Sequence, residues 1–139
     1  MSTLVRPYFS LSGEFDPDEI SRLLDIRASR VQRIGDSGPP DALGPRLGAE
    51  WIWQPDDDSD DVSDQLAYLA GALSMKYERV AELSRKFFGT FHVCNQVDGA
   101  NRDWFLSAQT IKLIADLYVH IQCKNIPFTQ DEVIGNDAN

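Results

Sequence analysis

The segment Phe15–Ile20 carries nearly every signal that the first turn of an α-helix requires. Asp16 can cap the free amide groups, Pro17 suits the first helical position, and Glu19 can complete a capping box. The apolar residues at the two ends of the segment have the spacing of a hydrophobic staple. Tyr8–Ser12 alternates polar and apolar residues before it, so the sequence predicts a strand followed by a capped helix.

The length of 139 residues fits one domain that needs neither a disulfide nor a metal to fold. We expect a single α+β domain over residues 1–128 and a flexible acidic tail over 129–139. Cys94 and Cys123 lie in apolar stretches without a paired arrangement, so we interpret both as reduced residues of the core or sheet. No apolar run has the length of a signal peptide or a membrane helix, which predicts a cytoplasmic protein without a membrane partner.

The formal net charge of -9 is concentrated in two segments. Pro55–Asp61 and Thr129–Asn139 carry only acidic charges, and the rest of the chain is close to neutral. Local acidity of this kind favours solubility and speeds encounters with basic partners. No basic stripe stands out to contact phosphates, so we expect no nucleic acid partner.

In the middle of the chain, Gly and Pro residues and the spacing of apolar residues predict a loop, a strand and helices. Residues 27–50 contain several Gly and Pro pairs, which predicts a long loop, either functional or flexible, unless it hides a short element. Trp51–Gln54 has the aromatic and β-branched content of a short strand. From Leu66 to Phe87 apolar residues recur every three or four positions, which favours two helices with a break near residues 74–76 over one long helix.

The C-terminal half repeats the pattern of strand, helix and strand. Alternation predicts strands at Phe91–Val97 and Tyr118–Cys123, and Ser107 can cap a helix between them. The helix would bury a stripe of Ile111, Ile114 and Ala115. Two β-α-β halves joined by an extra helical segment predict an α+β fold of the ferredoxin-like sandwich type, in which a mostly antiparallel four-stranded sheet carries its helices on one face.

Several segments resemble one bacterial family. They are Phe9–Gly13, Phe15–Ile20, Leu23–Ile26, Arg33–Asp36 and Trp51. These segments are similar to the family catalogued as domain of unknown function 4279, which has a similar strand, an acidic Pro-containing helix start, an Arg-x-Gly-Asp turn and a Trp strand. The resemblance covers most of the chain before the tail, and the Asp-rich loop departs from it. It implies a small, uncharacterised bacterial protein and supplies no activity.

Alternation also divides the strand residues between the two faces of the sheet. The face covered by helices would receive Phe9, Leu11, Ile52, Phe91, Val93, Val119, Ile121 and Cys123. The opposite face would receive Tyr8, Ser10, Trp51, Trp53, His92, Cys94, Gln96, His120 and Gln122. Exposed tryptophans rimmed by polar groups are typical of a binding surface or dimer contact, unless the long loop or the tail folds over them.

Three arginines form a local basic cluster before the turn at Gly35. Arg27, Arg30 and Arg33 recur every three residues, and Asp36 follows the turn. Guanidinium groups suit carboxylate or phosphate ligands, so an anion or an acidic peptide is one interpretation. The structural interpretation is that the arginines stack on the nearby Trp rings and pair with nearby Asp residues, while Asp36 stabilises the turn.

The residues that could hold a metal lack the spacing of a metal site. His92 and Cys94 lie on one predicted strand and His120 lies on another, and we interpret them as surface or hydrogen-bonded residues rather than ligands or a nucleophilic pair. Counted from Asp56, the acidic run has neither the Gly nor the Glu that an EF-hand requires. We therefore predict no metal and no cofactor.

The sequence as a whole favours a non-catalytic binding or protein-interaction module of the bacterial cytoplasm, of which a toxin-neutralising immunity protein would be one form. The partner would be another protein or a second copy of the chain. The candidate binding residues are Trp51, Trp53, Arg30, Arg33, Asp36, His92 and His120. The alternative is an enzyme of unknown reaction that uses His92 or His120 at the sheet surface, which requires a carboxylate or thiol within reach of one histidine.

Overall fold

A computed structural model describes residues 6–35, 48–56, 61–97 and 104–127 of the chain, with the backbone alone for 94–97 and 125–127. Within these ranges the chain has an α+β fold of five strands and four helices. In chain order they are β1 (Tyr8–Gly13), α1 (Pro17–Leu24), β2 (Arg30–Gln32), β3 (Ala49–Trp53), α2 (Val62–Ser74), α3 (Tyr77–Lys86), β4 (Phe88–Val97), α4 (Ala108–Asp116) and β5 (His120–Pro127). None of these helices has the length and apolar character needed to cross a membrane.

Three helices begin at the capping residues that the sequence provides. The carboxylate of Asp16 accepts a hydrogen bond of 3.0 Å from the α1 amide two residues further on. Asp61 caps α2 and Ser107 caps α4 through their side-chain oxygens. The carboxylate of Glu19 pairs with Arg22 one turn along α1 instead of closing the predicted capping box. The predicted start of α1 is therefore confirmed, with Asp16 as its cap.

The predicted break in the long apolar repeat is confirmed between α2 and α3. At the end of α2 the amide groups of Met75 and Lys76 donate to carbonyls only three residues back, at 3.3 and 2.9 Å. The hydroxyl of Ser74 also donates to the Gly71 carbonyl at 2.7 Å. Such bonds tighten the last turn of a helix and end its regular bonding, so α3 starts in a new direction.

The described strands form one mixed sheet in the order β2-β3-β1-β4-β5. The first three pairings in this order are antiparallel, and β4 pairs with β5 in parallel. A parallel pair needs a crossover connection, which contains α4. The predicted α+β class is thus confirmed, but its four-stranded ferredoxin-like form is not. The prediction placed β2 inside a long loop because a strand of three residues is too short to show alternation.

All four described helices pack on the same face of this sheet and share one apolar core with it. The helices contribute Ile20, Leu24, Leu66, Leu69, Ala70, Leu73, Val80, Leu83 and Ile114 to this core. The strands contribute Phe9, Leu11, Trp51, Phe91 and Val93. Four of these five strand residues were predicted to face the helices, and the exception is Trp51.

The predicted faces of β3 are wrong. In the antiparallel register Leu11 lies opposite Trp51 and Phe9 lies opposite Trp53, so both tryptophans face the helices. Trp51 is 0% exposed, and its indole N–H donates to the hydroxyl of Ser21 on α1 at 2.9 Å. Because successive side chains of a strand point to opposite faces, an error of one residue in the assignment moves the whole set to the other face.

Two further burial predictions are also wrong. Cys123, predicted to face the core, is exposed because β5 is an edge strand of the described sheet. On α4 only Ile114 of the predicted stripe is buried, whereas Ile111 is 51% exposed and Ala115 is exposed. The helix buries Thr110 instead. The predicted acidic tail, 129–139, lies outside the described residues.

Candidate binding face of the sheet

The sheet face opposite the helices carries a continuous row of residues, one from each described strand. The registers pair Arg30 with Ile52, Ile52 with Ser10, Ser10 with Thr90, and Thr90 with His120. Neighbouring strands lie about 4.8 Å apart, so this row is roughly 19 Å long. We call this surface the open face, and it comprises the row together with Tyr8, Gln32, Glu50, Phe88, His92 and Gln122.

The centre of the open face holds a buried serine bonded to a histidine. Ser10 is only 1% exposed, and its hydroxyl lies 2.8 Å from Nε2 of His92. The Tyr8 ring stacks on the imidazole with a centroid distance of 4.5 Å. Burial lowers the pKa of His92, while the charge of Glu50 raises it and that of Lys124 lowers it. His92 is therefore neutral at neutral pH, and its ring is fixed by one bond and one stack.

A second histidine and a phenylalanine form an exposed stack at the β4–β5 side of the open face. The rings of Phe88 and His120 have centroids 4.5 Å apart and are inclined by 18°. Phe88 is 55% exposed, and His120 is exposed as well. Phe88 was not among the predicted site residues, although the doublet with Phe87 is a signal for it. Alternation sends the two rings to opposite faces, and Phe87 packs edge-on against Phe15 on the helix side.

The structure brings together some of the predicted binding residues and separates the others. Arg30, His92 and His120 share the open face. Trp51 and Trp53 contribute to the helix side instead. Asp36 lies outside the described residues. The open face is therefore more polar than predicted, and its exposed ring system is the Phe88–His120 stack rather than a pair of tryptophans.

Arg33 contacts the start of α1. Its guanidinium forms ion pairs with Asp16 at 3.4 Å and with Asp18 at 3.0 Å. These contacts match the structural interpretation of the arginine cluster, in which arginines pair with nearby Asp residues. Arg30 differs from Arg33 because it is exposed at the β2 end of the row on the open face. Arg30 is therefore the arginine of the cluster that a ligand on this face could reach.

The described residues offer few groups for proton transfer or metal binding. No set of three or more His, Cys, Asp and Glu residues among them is arranged to hold a metal ion. Neither His92 nor His120 makes a hydrogen bond to a carboxylate or thiol within the described part of the chain. Because Ser10 is buried, its hydroxyl is not presented to solvent. The described groups of the open face can make stacking and hydrogen-bonding contacts.

A separate cleft of about 640 Å³ lies in the helical layer, between the end of α1 and the turn that joins α2 to α3. Leu23, Met75 and Tyr77 contribute apolar surface to it. Both acidic and basic side chains line it, including Asp25 and Arg79. The Arg79 guanidinium donates a hydrogen bond of 3.0 Å to the Leu23 carbonyl. Because charges of both signs line this cleft, they indicate no preferred ligand charge.

Comparison with known proteins identifies a family. The family model described as domain of unknown function (DUF4279) matches residues 3–125. No curated protein and no solved structure matches the chain. The match extends from β1 into β5 and includes every described helix. It confirms the resemblance noted in the strand, helix start and turn of the N-terminal half, and the chain therefore belongs to the family of domain of unknown function 4279.

Proposed function

We propose that this protein is a non-catalytic binding protein that contacts a protein partner through the open face. The observation that carries the proposal is the exposed stack of Phe88 and His120. Phe88 is 55% exposed and stacked on an imidazole, so it offers a partner aromatic contact area beside polar groups of the same face. Arg30 at the other end of the row and His92 between them add a cationic and a hydrogen-bonding group to the same face.

The arrangement of the layers also supports the open face as the contact surface. The described helices use their apolar stripes to build the core, which leaves the opposite side of the sheet without a described helix. Ser10, Ile52 and Thr90 form a buried base in the middle of this side. A surface built on strands holds its side chains in fixed positions, so a partner would lose little binding free energy in ordering them.

The test is a comparison of captured partners between matched variants. Tagged wild-type protein, F88S/H120A and the control I111S are used as baits in cells that naturally make the protein. Ile111 is 51% exposed on α4, which matches the exposure of Phe88 but lies in the helical layer. We expect wild type and I111S to capture the same protein and F88S/H120A to lose it. Equal capture by all three baits contradicts the proposal.

A second copy of the chain is the other partner that this face could bind. Sedimentation equilibrium of the same three proteins separates the two possibilities. A dimer in wild type and I111S that dissociates in F88S/H120A identifies a homodimer through the open face. A monomer in all three proteins leaves a different protein as the partner, which the capture experiment then identifies.

The enzyme alternative has one specific observation in its favour. A serine hydroxyl 2.8 Å from a histidine nitrogen is the contact that activates serine nucleophiles. Against it, Ser10 is buried, and His92 makes no hydrogen bond to a carboxylate among the described residues. A fluorophosphonate probe tests this alternative, because it labels activated serines. Labelling of wild type that is lost in S10A favours the enzyme, and absence of labelling favours the binding protein.

We also propose a reducing compartment such as the cytoplasm for this protein. Cys123 is a free thiol and is exposed on the edge strand β5. Exposed free thiols persist where glutathione and thioredoxin keep them reduced. Fractionation of cells that make the protein, with thiol labelling of Cys123, tests the proposal. Recovery of the protein in an oxidising compartment would contradict it.

A further inference from the structure

Aromatic rings and cations gather at the end of the sheet where β4 and β5 begin. The two strands are parallel, and Thr90 lies opposite His120, so both strands begin at the same end of the sheet. Phe88 and Tyr118 stand two residues before this pair and are 55% and 52% exposed. Arg85 and Lys86 end α3 immediately before β4. We call the surface formed by Arg85, Lys86, Phe88, Tyr118 and His120 the corner patch.

The rings of the corner patch are held in place by stacking. Phe88 lies against His120, as described above, and the guanidinium carbon of Arg85 lies 4.1 Å from the centroid of the Tyr118 ring. Tyr118 has a φ of 59°, in the left-handed region that bulky residues rarely adopt. These contacts restrict the side chains of Phe88, His120, Arg85 and Tyr118, so a partner loses less binding free energy in ordering them.

In the described part of the chain, the cations of the corner patch lie over aromatic rings, Arg85 over Tyr118 and Lys86 at 5.9 Å from the centroid of Phe87. Neither Arg85 nor Lys86 forms an ion pair with any described residue, although Glu82 lies one turn earlier on α3. The chain has a net charge of -9, and Arg85 and Lys86 are two exposed cations that are adjacent in sequence and unpaired within the described ranges. The dipole of α3 favours cations in its last turn, which accounts for their position on the helix. It does not account for two exposed aromatic rings beside them.

We infer that the corner patch binds a segment of the partner protein in which carboxylates flank an aromatic side chain. Guanidinium and ammonium groups complement carboxylates, and the Phe88–His120 stack offers a flat surface for a further ring. A nucleic acid is the less favoured ligand, because two cations do not form the basic stripe that successive phosphates require. The inference rests on the proposed function of the open face, since Phe88 and His120 belong to both surfaces.

The test is selection of peptides from a random display library on the intact protein. Wild type should select peptides that combine Asp or Glu with an aromatic residue. The affinity of a resynthesised peptide should fall about tenfold or more in R85E/K86E, because charge-assisted contacts are lost. The control R27E/K112E makes the same change of net charge at two exposed cations elsewhere, and it should keep most of the affinity.

Several outcomes overturn the inference. Failure to select any peptide, selection without an acidic bias, or equal affinity in wild type and R85E/K86E each contradicts it. Binding of a labelled dT10 oligonucleotide that depends on Arg85 and Lys86 would assign the patch to nucleic acid instead. Any of these results combined with loss of partner capture by F88S/H120A leaves the proposed function intact. Unchanged capture by F88S/H120A contradicts the proposed function itself.

Discussion

The hydroxyl of Ser10 on β1 lies 2.8 Å from Nε2 of His92 on β4, and this contact joins two neighbouring strands on the open face. Ser10 is buried, so the bond is shielded from competing water. Without this hydrogen bond, the polar imidazole of His92 would lie at the edge of the buried centre of the open face with its Nε2 atom unpaired. The pair therefore stabilises the base on which the exposed part of the face is built.

Replacing Ser10 with alanine should destabilise the fold. Removal of one buried hydrogen bond lowers the free energy of unfolding by about 1 kcal/mol. Ser12 lies on the same strand and the same face but is only partly buried, so S12A is the matched control with an expected change below about 0.5 kcal/mol. Urea denaturation of the three proteins measures both changes. Equal stability of S10A and wild type would show that the Ser10–His92 contact contributes nothing.

The lowered pKa of His92 predicts how the free energy of unfolding depends on pH. Because burial lowers this pKa in the folded state, the unfolded chain binds the His92 proton at a higher pH than the folded chain. The contribution of neutral His92 to the free energy of unfolding is fully present above the ordinary histidine pKa of about 6.5. It is lost as the pH falls through the lower pKa of the folded state.

We therefore expect the free energy of unfolding of wild type to fall more steeply than that of H92Q as the pH falls through this range. H120Q replaces an exposed histidine in the same way and serves as the control, which should keep the wild-type slope. Denaturation at several pH values measures the slopes. A wild-type slope equal to that of H92Q means that His92 is not buried as described.

Trp51 should behave as a core residue and not as a binding residue. It is fully buried and bonded to Ser21, so W51A should lower the free energy of unfolding by about 3–5 kcal/mol. W51F keeps most of the apolar volume and should cost about 1–3 kcal/mol. Thermal and urea denaturation measure these effects. A W51A variant as stable as wild type would indicate that Trp51 lies on the exposed side of the sheet and not in the core.

Gly89 on β4 lies close to Ser84 on α3, where the helix packs on the strand. A Cβ atom at Gly89 would lie 2.6 Å from the Ser84 hydroxyl oxygen, which is buried without a hydrogen-bond partner among the described residues. G89A should therefore cost about 1–3 kcal/mol. S84A should be neutral or stabilise the fold by up to about 1 kcal/mol, because it removes an unsatisfied hydroxyl.

The double variant S84A/G89A provides the check on this contact. Removal of the hydroxyl relieves the closest clash, so G89A should cost less in the S84A background than in wild type. The Ser84 Cβ atom would still lie 3.0 Å from the new methyl group, so part of the cost should remain. Additive effects of the two substitutions would contradict the described packing of α3 on β4.

Local signals predicted the helices of this protein well because they act over a few residues. Asp16 and Ser107 cap α1 and α4 as predicted, and the three- and four-residue spacing of apolar residues located buried residues of α2 and α3. The stripe of α4 was predicted less well, since Ile111 is exposed. Its burial depends on which neighbour packs against the helix, and this is not encoded locally.

The faces of the strands were harder to predict because alternation alone does not say which set faces the core. In β3 the set with both tryptophans and Ala49 is more apolar than the set in which Ile52 stands between Glu50 and Gln54. This comparison would have placed Trp51 correctly. The open face itself depends on registers between strands far apart in sequence, which explains why the contact of Ser10 with His92 was not predicted.

The most direct test of the open face as the binding surface is photo-crosslinking in cells that naturally make the protein. A photoreactive amino acid replaces Gln122, which is exposed on the open face opposite His92, or Ile111 on α4. We expect a crosslinked partner protein, or a crosslinked second copy of the chain, from position 122 and none from position 111. Crosslinking from position 111 alone, or from neither position, would contradict it.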